Sequence, residues 1–427
     1  MGRVLIWKQT APGCEYDIFT PTDYNALYEH VQSNWGGICK NWGNRLWFQG
    51  IYSALDTGEN TYDFITDQID IDQINSDYDL IVLPMANIFY HGFLESMRYL
   101  TSVFEKIKIP IYVVVCGVQA DSYDMLDDVI ASIGEDSARF IRAIYQTGGE
   151  FALRGYFTKE FFERLGFHSA VVTGCPSLYQ MGPDFSVDTN KVDTRMLKPV
   201  FNGHIPPLAT LMQCWPDSIF IDQDEFFKPL FQPNYAKVRT LEFRLDFLDQ
   251  YGIVAAEMLA EGRIRMIADM NDWWNYLRNE GFNYAFGSRI HGTIMALLSG
   301  IPATIVVGDS RTREMAEYFD IPMIMSPRTY CFGKKDLLEA YEEMDYTAFN
   351  QKFRQRFDNY ERFLVEHGIV SSVNSNNRFF AQKGNIPVEF VQQLNQKNLE
   401  ALHTDLKKYS RYLFAINQMR RIKRRIF

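Results

Sequence analysis

The stretch "FNYAFGSRIHGTIMALLSGIPATIVVG", from Phe282 to Gly308, contains a strand-like apolar run, a run with helical spacing and a second strand-like run. The helical run stops at Gly300 and Pro302, since glycine and proline are typical of helix ends. A helix between two apolar strands is the pattern of a crossover between parallel strands. The stretch therefore predicts a parallel βαβ unit.

Strand-like and helical runs alternate on both sides of this unit, and the strand runs are nearly continuous in apolar residues, as in strands covered on both faces. In the amino-terminal half the predicted strands are "RVLIWKQ", "YDLIVLPM", "IPIYVVVCGVQ" and "EFALRGY", and the predicted helices are "RLWFQGIYSAL", "FLESMRYLTSVFEKI", "DSARFIRAIYQ" and "KEFFERLG". Further along, the predicted strands are "KPVFNGH", "DSIFIDQ", "RIRMIAD", "FNYAFGS" and "PATIVVG", and the predicted helices are "MNDWWNYLRNE", "TIMALLS" and "RTREMAEYF".

The length of the chain indicates more than one domain. Its 427 residues exceed the roughly 250 to 300 at which a single hydrophobic core stops growing. The alternation loosens near residue 185, and helical, charged segments replace it near residue 346. We therefore expect an amino-terminal α/β lobe over 1–185, a second α/β lobe over 186–345 and a helical extension over 346–427.

The composition is that of a water-soluble protein, with 47% hydrophobic and 22% charged residues. No apolar run approaches the roughly 20 residues of a membrane-spanning helix, and the apolar run at the amino terminus is too short for a signal peptide. The cysteines form no CxxC pair, and no His, Asp or Glu spacing suggests a metal site. We expect a cytoplasmic protein without a metal or a disulfide framework.

The net charge of -10 is unevenly distributed along the chain. Residues 401–427 carry a charge of +7, because eight Lys and Arg residues face Asp405 alone, and the remainder carries -17. An acidic body does not suit nucleic acid, so no such partner is expected. The tail "KKYSRYLFAINQMRRIKRRIF" predicts a helix with apolar and basic positions that makes peripheral contact with the inner face of the cell membrane. Packing of the same apolar side on the protein body, or a dimer contact, is the alternative.

The turn "GSRIHG" places two side chains that can hold positive charge at the start of an apolar helix. Ser288 suits an N-cap, which would put Arg289 and His291 in the first turn. Open N–H groups and the positive end of the helix dipole favour an anion there. The turn also follows a parallel strand, at the edge where α/β sheets bind ligands. It predicts a site for phosphate or carboxylate, and a capped helix with a surface arginine is the alternative.

The segment from Phe286 to Pro322 resembles the signature region of the polysaccharide pyruvyl transferase family. It has the family's S/T-R-hydrophobic-H-G turn, a small-residue helix that ends in G-hydrophobic-P, and a D-S-[RK]-T segment. Weaker similarity runs through "IPIYVVVCGVQAD", "FALRGYFTKEFFERLGF" and "VVTGCPSLY", so the resemblance extends from about Val4. It implies two Rossmann-like lobes in a glycosyltransferase-B-like arrangement. It also implies transfer of pyruvate from phosphoenolpyruvate to a sugar as a ketal, in surface polysaccharide biosynthesis and without a cofactor.

Phosphoenolpyruvate carries a phosphate and a carboxylate, so its binding calls for cationic side chains, and ketal formation calls for an acid that protonates the methylene carbon. His291 is the predicted acid. Ser310 is predicted to cap the next helix and to form a second anion-binding turn. Arginine side chains suit bidentate anion contacts because their guanidinium groups are planar. The predicted donor-binding residues are Arg289, Arg154, Ser288, Ser310 and Arg311.

The acceptor implied by the resemblance is a sugar, either free or part of a polymer or lipid-linked glycan. The segment "NWGGICKNWGN" stands where the family has a glycine-rich turn followed by an acidic residue, and here Asn44 takes the place of the acid. Polar side chains beside tryptophans suit a sugar. The predicted acceptor-binding residues are Asn41, Asn44 and Gln119.

Two other functions fit the same sequence. A glycosyltransferase that uses a nucleotide sugar would have the same two-lobed fold, with Arg289 and Arg311 as its basic pair. A non-catalytic scaffold docked on a membrane assembly is the other, although it would have no need of the turn around His291.

Overall fold

A computed structural model describes residues 2–7, 9–11, 14–15, 43–55, 60–65, 70–223, 254–255, 257–258, 261–267, 270–326, 330–373, 404–405, 407–409 and 411–412. Two parallel sheets flanked by helices make this an α/β protein with two Rossmann-like lobes. None of the helices within these ranges combines the length and the hydropathy needed to cross a lipid bilayer.

The first lobe is built on a seven-stranded sheet. Its strands are β1 (Arg3–Ile6), β4 (Thr61–Phe64), β5 (Leu80–Pro84), β6 (Asn87–Phe89), β7 (Ile111–Val118), β8 (Glu150–Leu153) and β9 (Val171–Val172), and a separate antiparallel pair consists of β2 (Gln9–Ala11) and β3 (Cys14–Glu15). The strand order is β4-β1-β5-β7-β8-β9, with β6 beside β7, and these pairings are parallel. The helices of this lobe are α1 (Asn44–Leu55), α2 (Ile71–Asp77), α3 (Leu94–Phe104), α4 (Leu126–Gln146) and α5 (Tyr156–Arg164).

The second lobe is built on a six-stranded parallel sheet. Its strands are β10 (Pro199–Asn202), β11 (Ile219–Asp222), β12 (Ile264–Met266), β13 (Tyr284–Gly287), β14 (Ala303–Val307) and β15 (Met323–Met325), in the order β12-β11-β10-β13-β14-β15. The helices that follow the first lobe are α6 (Ile205–Cys214), α7 (Met270–Asn279), α8 (Ile290–Leu298), α9 (Ser310–Phe319), α10 (Lys334–Glu343) and α11 (Thr347–Glu366).

The predicted strands and helices are confirmed, with errors at boundaries and edges. All nine predicted strands form, because each is an apolar run that the sheet buries. The sequence patterns missed β4, β6, β9 and β15, which are only two to four residues long. Helix α4 begins at Leu126, ten residues before the predicted start, since its first turns are half-exposed and polar.

The opening stretch forms the predicted βαβ unit, β13-α8-β14. All five residues of β14 are buried, and α8 is buried from His291 to Leu298, so the helix lies between the sheet and the rest of the protein. It ends at Leu298 with Ser299 as its C-cap, and Gly300 adopts φ +82°, the left-handed conformation in which glycine commonly follows a helix.

Two helices join the lobes. The start of α9, in the second lobe, meets the end of β7 in the first: the Ser310 backbone N–H donates to the Ala120 carbonyl at 3.0 Å, and the Ala120 N–H donates to Ser310 Oγ at 2.9 Å. Helix α11 returns to the first lobe, where Tyr360 stacks on Tyr179 with 5.0 Å between ring centroids. The first part of the predicted helical extension thus packs against the lobes.

Candidate active site

A cavity of about 320 Å³ lies where the carboxyl ends of the two sheets face each other. The first lobe supplies Asn44, Ala86, Asn87 and Arg154 to its wall, and the second lobe supplies the rest. Six of the predicted site residues line this one cavity: Asn44, Arg154, Ser288, Arg289, His291 and Arg311. Ligands of open α/β sheets bind at this edge.

The turn between β13 and α8 is held by Asn202 at the end of the neighbouring strand β10. The Ser288 N–H donates to the Asn202 backbone carbonyl at 3.1 Å, and the Arg289 N–H donates to Asn202 Oδ1 at 3.0 Å. Helix α8 begins at Ile290 with Arg289 in the N-cap position, so the prediction that Ser288 is the N-cap was wrong by one residue. The reason is that the side chain of Asn202 supplies the cap from another strand, a contact that local sequence does not show.

His291 is buried, with 6% of its surface exposed, and it lines the cavity. Burial, and to a smaller extent the positive charges of Arg154 and Arg311, lower its pKa from 6.5 to about 3. The imidazole is therefore neutral at pH 7 when no anion is bound.

Arg154 follows strand β8, and its backbone N–H donates to the Cys116 carbonyl at 2.9 Å. Only 3% of its surface is exposed. One guanidinium nitrogen, Nη1, donates to Asn87 Oδ1 at 2.7 Å, whereas Nε has no hydrogen-bond partner within the described ranges. A buried guanidinium with an unused donor, at the wall of a cavity, is suited to hold an anion.

A bulge in β7 positions Asn87, the partner of Arg154. Val115 adopts φ +63°, a conformation rare for a β-branched residue, and the pairing register between β7 and β8 shifts at this point. Beyond the bulge, Gly117 pairs with Asn87 of β6. This places Asn87, which the sequence analysis missed, at the cavity wall.

The start of helix α9 differs from its prediction. Asp309 is the N-cap, not Ser310, and its carboxylate accepts from the N–H groups of Arg311 and Thr312, both at 3.1 Å. Asp309 also forms an ion pair with the Arg311 side chain, with 2.6 Å between Oδ2 and Nη2. The predicted second anion turn is therefore already capped by a carboxylate of the chain. Of the two residues predicted for this turn, Arg311 lines the cavity and Ser310 does not.

Three other predicted residues lie apart from the cavity or outside the described ranges. Ser310 is fully buried, and its hydroxyl bonds to Ala120 and Val118 of the other lobe, so its position is that of a contact between lobes. Gln119 is half-buried and is not part of the cavity wall. Asn41 lies outside the residues that the structure describes.

The sequence analysis also missed Gln223 and Glu314. Gln223 follows β11, and its side chain is buried in the cavity wall. Glu314, on α9, is 1% exposed and accepts hydrogen bonds from the backbone N–H of Thr158 at 3.0 Å and from its hydroxyl at 2.9 Å. The strand "DSIFIDQ" was predicted, and Gln223 could have been recognised as a site residue because it stands at the end of that strand. Glu314 could have been recognised as unusual because it is a charged residue at a buried position of the predicted helix α9.

The electrostatic balance of the cavity favours anions. Its described wall contains Arg154, Arg289 and Arg311 against the single carboxylate of Asp309. Helices α1, α6 and α8 begin at or next to lining residues, so the positive ends of their dipoles add to this field. Across the described residues, no group of three or more His, Cys, Asp or Glu side chains is placed to hold a metal ion. The cavity is suited to a small, multiply charged anion.

Comparison with solved structures gives only distant likenesses. MnaA of S. aureus, solved with UDP, is 11% identical at a TM-score of 0.39, and the match covers 87% of this chain and 98% of that one. The glycosyltransferase SnogD of Streptomyces nogalater is 11% identical at a TM-score of 0.28, covering 86% and 99%. The BGT of T4 phage, solved with UDP and Mn²⁺, is 10% identical at a TM-score of 0.32, covering 96% and 99%. At these values no conclusion about substrate follows.

Comparison with protein families is decisive. No curated protein matches this chain. The family model of polysaccharide pyruvyl transferase matches residues 14–310, which include Arg154, Arg289 and the turn that carries His291. This match covers well over half of the chain, and the chain belongs to the polysaccharide pyruvyl transferase family.

Proposed function

We propose that the protein transfers pyruvate from phosphoenolpyruvate to a sugar as a ketal, in the biosynthesis of a surface polysaccharide. The observation that carries the proposal is the meeting of Arg154, His291 and Arg311 in one cavity, although Arg154 comes from a different lobe and a distant part of the sequence. Family membership supports a transferase in polysaccharide biosynthesis.

The donor would bind through the arginines. Arg154 and Arg311 both act electrostatically on His291, so an anion held by them lies beside the imidazole. Arg289, at the N-cap of α8, adds a planar fork near the open N–H groups of the helix. Together they neutralise the phosphate and the carboxylate of phosphoenolpyruvate.

His291 would act as the general acid. In the free protein the two arginines and burial keep it neutral, and the negative charge of the donor raises its pKa, so that it takes up a proton as the donor binds. The imidazolium gives this proton to the methylene carbon, which becomes a methyl group and leaves an oxocarbenium-like centre at the adjoining carbon. One sugar hydroxyl adds there, and its proton passes to the imidazole that the first transfer left neutral. The bond to phosphate then breaks, and a second hydroxyl adds and gives its proton to the leaving phosphate.

The balance of the reaction is one phosphoenolpyruvate and one sugar diol converted to one pyruvate ketal and one phosphate. No oxidant or reductant takes part. The protein supplies cations for the donor and a proton donor, both fixed in the wall of one cavity.

A nucleotide-sugar glycosyltransferase is the second candidate, because Arg289 and Arg311 line the same cavity and suit a diphosphate. Thermal shift separates the two. We expect phosphoenolpyruvate to raise the melting temperature of the full chain, and Arg154→Ala to abolish that shift. A matched control is Arg142→Ala, on the exposed face of α4, which should keep the shift. Stabilisation by a nucleotide sugar and none by phosphoenolpyruvate would favour the glycosyltransferase, and stabilisation by neither would favour a scaffold.

Cytoplasmic location and contact with the inner face of the membrane belong to this proposal as well. The basic tail beyond Tyr412 lies outside the described residues, so its helix stays a prediction from sequence. An enzyme docked through such a tail would meet lipid-linked acceptors at the membrane surface.

A further inference from the structure

The cavity contains a buried side-chain amide that is ready to bind a ligand. Gln223 is 3% exposed and lines the cavity, yet neither its Oε1 nor its Nε2 has a hydrogen-bond partner within the described ranges. A buried amide normally finds partners, because leaving it unpaired costs stability. Its retention at a cavity wall indicates a ligand that pairs with it.

The position of this amide is fixed by the helix that carries the active-site turn. A Cβ atom added at Gly292 would lie 2.5 Å from Gln223 Nε2 and 2.7 Å from Asn202 Cγ. The glycine next to His291 therefore leaves the space that the amide of Gln223 occupies. The amide of Gln223 therefore lies against the first turn of α8.

The strand order separates this amide from the most basic part of the cavity. Arg311 follows β14, whereas Gln223 follows β11, and β10 and β13 lie between these two strands. Neighbouring strands are about 4.8 Å apart, so the ends of β11 and β14 are separated by about 14 Å. The amide reaches back over β10 to Gly292, in the first turn of α8. The Gln223 side of the cavity also includes the apolar Leu208.

The chemistry of the two sides differs accordingly. Arginines provide only donors and positive charge, which suit the donor's phosphate and carboxylate. A carboxamide is neutral and offers both donor and acceptor atoms, as a sugar hydroxyl does. We infer that Gln223 binds the acceptor sugar, through hydrogen bonds between its carboxamide and the hydroxyl groups of the sugar. This inference takes the identity of the donor from the proposed function, whereas the binding of a sugar by Gln223 does not depend on that function.

The test uses Gln223→Met in the full chain. Methionine has a similar volume and no strong hydrogen-bonding atoms, and since the amide it replaces is unpaired, the melting temperature should stay the same or rise. Gln213→Met, at an exposed position of α6, is the matched control. Binding of methyl glycosides of galactose, glucose, mannose and N-acetylmannosamine is measured by saturation-transfer NMR, with inorganic phosphate present. Phosphoenolpyruvate binding is measured by thermal shift.

We expect at least one glycoside to bind the wild-type protein, and Gln223→Met to weaken that binding by about tenfold or more, since the hydroxyl would be left unpaired in a buried site. The affinity for phosphoenolpyruvate should change less than about twofold. The inference would be overturned if the wild type and the variant bound the glycosides equally, or if the wild type bound none. It would also be overturned if the variant lost phosphoenolpyruvate binding and kept glycoside binding. If glycoside binding depends on Gln223 while phosphoenolpyruvate fails to bind, the inference stands and the proposed donor is wrong.

Discussion

Glu314 makes the stability of the protein depend on pH. Its carboxyl group, on α9 of the second lobe, accepts hydrogen bonds from Thr158 of the first lobe and is buried against Gly155, where an added Cβ would lie 2.9 Å from its Oε2. Burial raises its pKa from 4.5 to about 7, although Arg154 and the hydrogen bonds from Thr158 act in the opposite direction. The folded protein therefore keeps this proton at pH values at which the unfolded chain has lost it.

The sign and size of the effect follow from that difference in pKa. A carboxyl with a folded pKa above its unfolded value contributes stability at low pH and loses it as pH rises through the folded pKa. With a folded pKa of about 7 and an unfolded one of 4.5, the contribution falls by about 2.5 kcal/mol between about pH 5 and pH 8. Glu314→Gln mimics the protonated form, so this fall should disappear.

The assay is urea unfolding of the wild type and Glu314→Gln at pH 5 and pH 8. At pH 5 the two free energies of unfolding should be similar, and at pH 8 the variant should be more stable by about 2 kcal/mol. Glu163→Gln, at an exposed position of α5, removes the same charge and serves as the control. Parallel pH dependence of wild type and Glu314→Gln would refute the reasoning.

Three further predictions concern the donor site and the tail. His291→Ala should lower turnover by a factor of about 10² to 10⁴ and affect donor binding less. Because the imidazole is neutral before the donor binds, calorimetry in two buffers should detect proton uptake when phosphoenolpyruvate binds to the wild type, but not when it binds to His291→Asn. Equal uptake by both would exclude His291 as the group protonated. Arg289→Ala and Arg154→Ala should raise the concentration of phosphoenolpyruvate needed for half-maximal turnover. Arg289→Lys should restore donor binding only in part, since a lysine has a point charge and lacks the bidentate fork of arginine. Full restoration by lysine in steady-state kinetics would contradict a bidentate role for Arg289. Co-sedimentation with anionic vesicles should fall when the chain is truncated after Leu406, and equal pelleting of both proteins, or of neither, would exclude the tail as a membrane contact.

Sequence alone predicted the elements that bury an apolar face. Strands such as β7 and β14 are continuous apolar runs, and α8 has the glycine that ends it, so local residues determine them. Short edge strands such as β4 and β15 give a weaker signal, because each has only three or four residues and neither is buried.

The candidate site was predictable to the extent that its residues end predicted strands. Arg154 lies at the end of one predicted strand, Arg289 and His291 lie in the turn and helix start after another, and the structure brings all three to one cavity. The caps were not predictable, because Asn202 reaches the turn from another strand and Asp309 precedes Ser310 in the capping position. The roles of Asn87 and Glu314 depend on contacts between distant segments, which no local pattern reveals.

Pyruvyl transfer itself is tested most directly by the glycans of cells with and without the gene for this protein. Mass spectrometry should detect a glycan that carries a pyruvate ketal, a gain of one pyruvate less one water, only when the gene is present. Restoring the wild-type gene should bring the ketal back, and restoring His291→Ala should not, because the proton donor is missing. Identical glycans in both strains, or a glycan that lacks a whole sugar in place of the ketal, would contradict the proposed reaction.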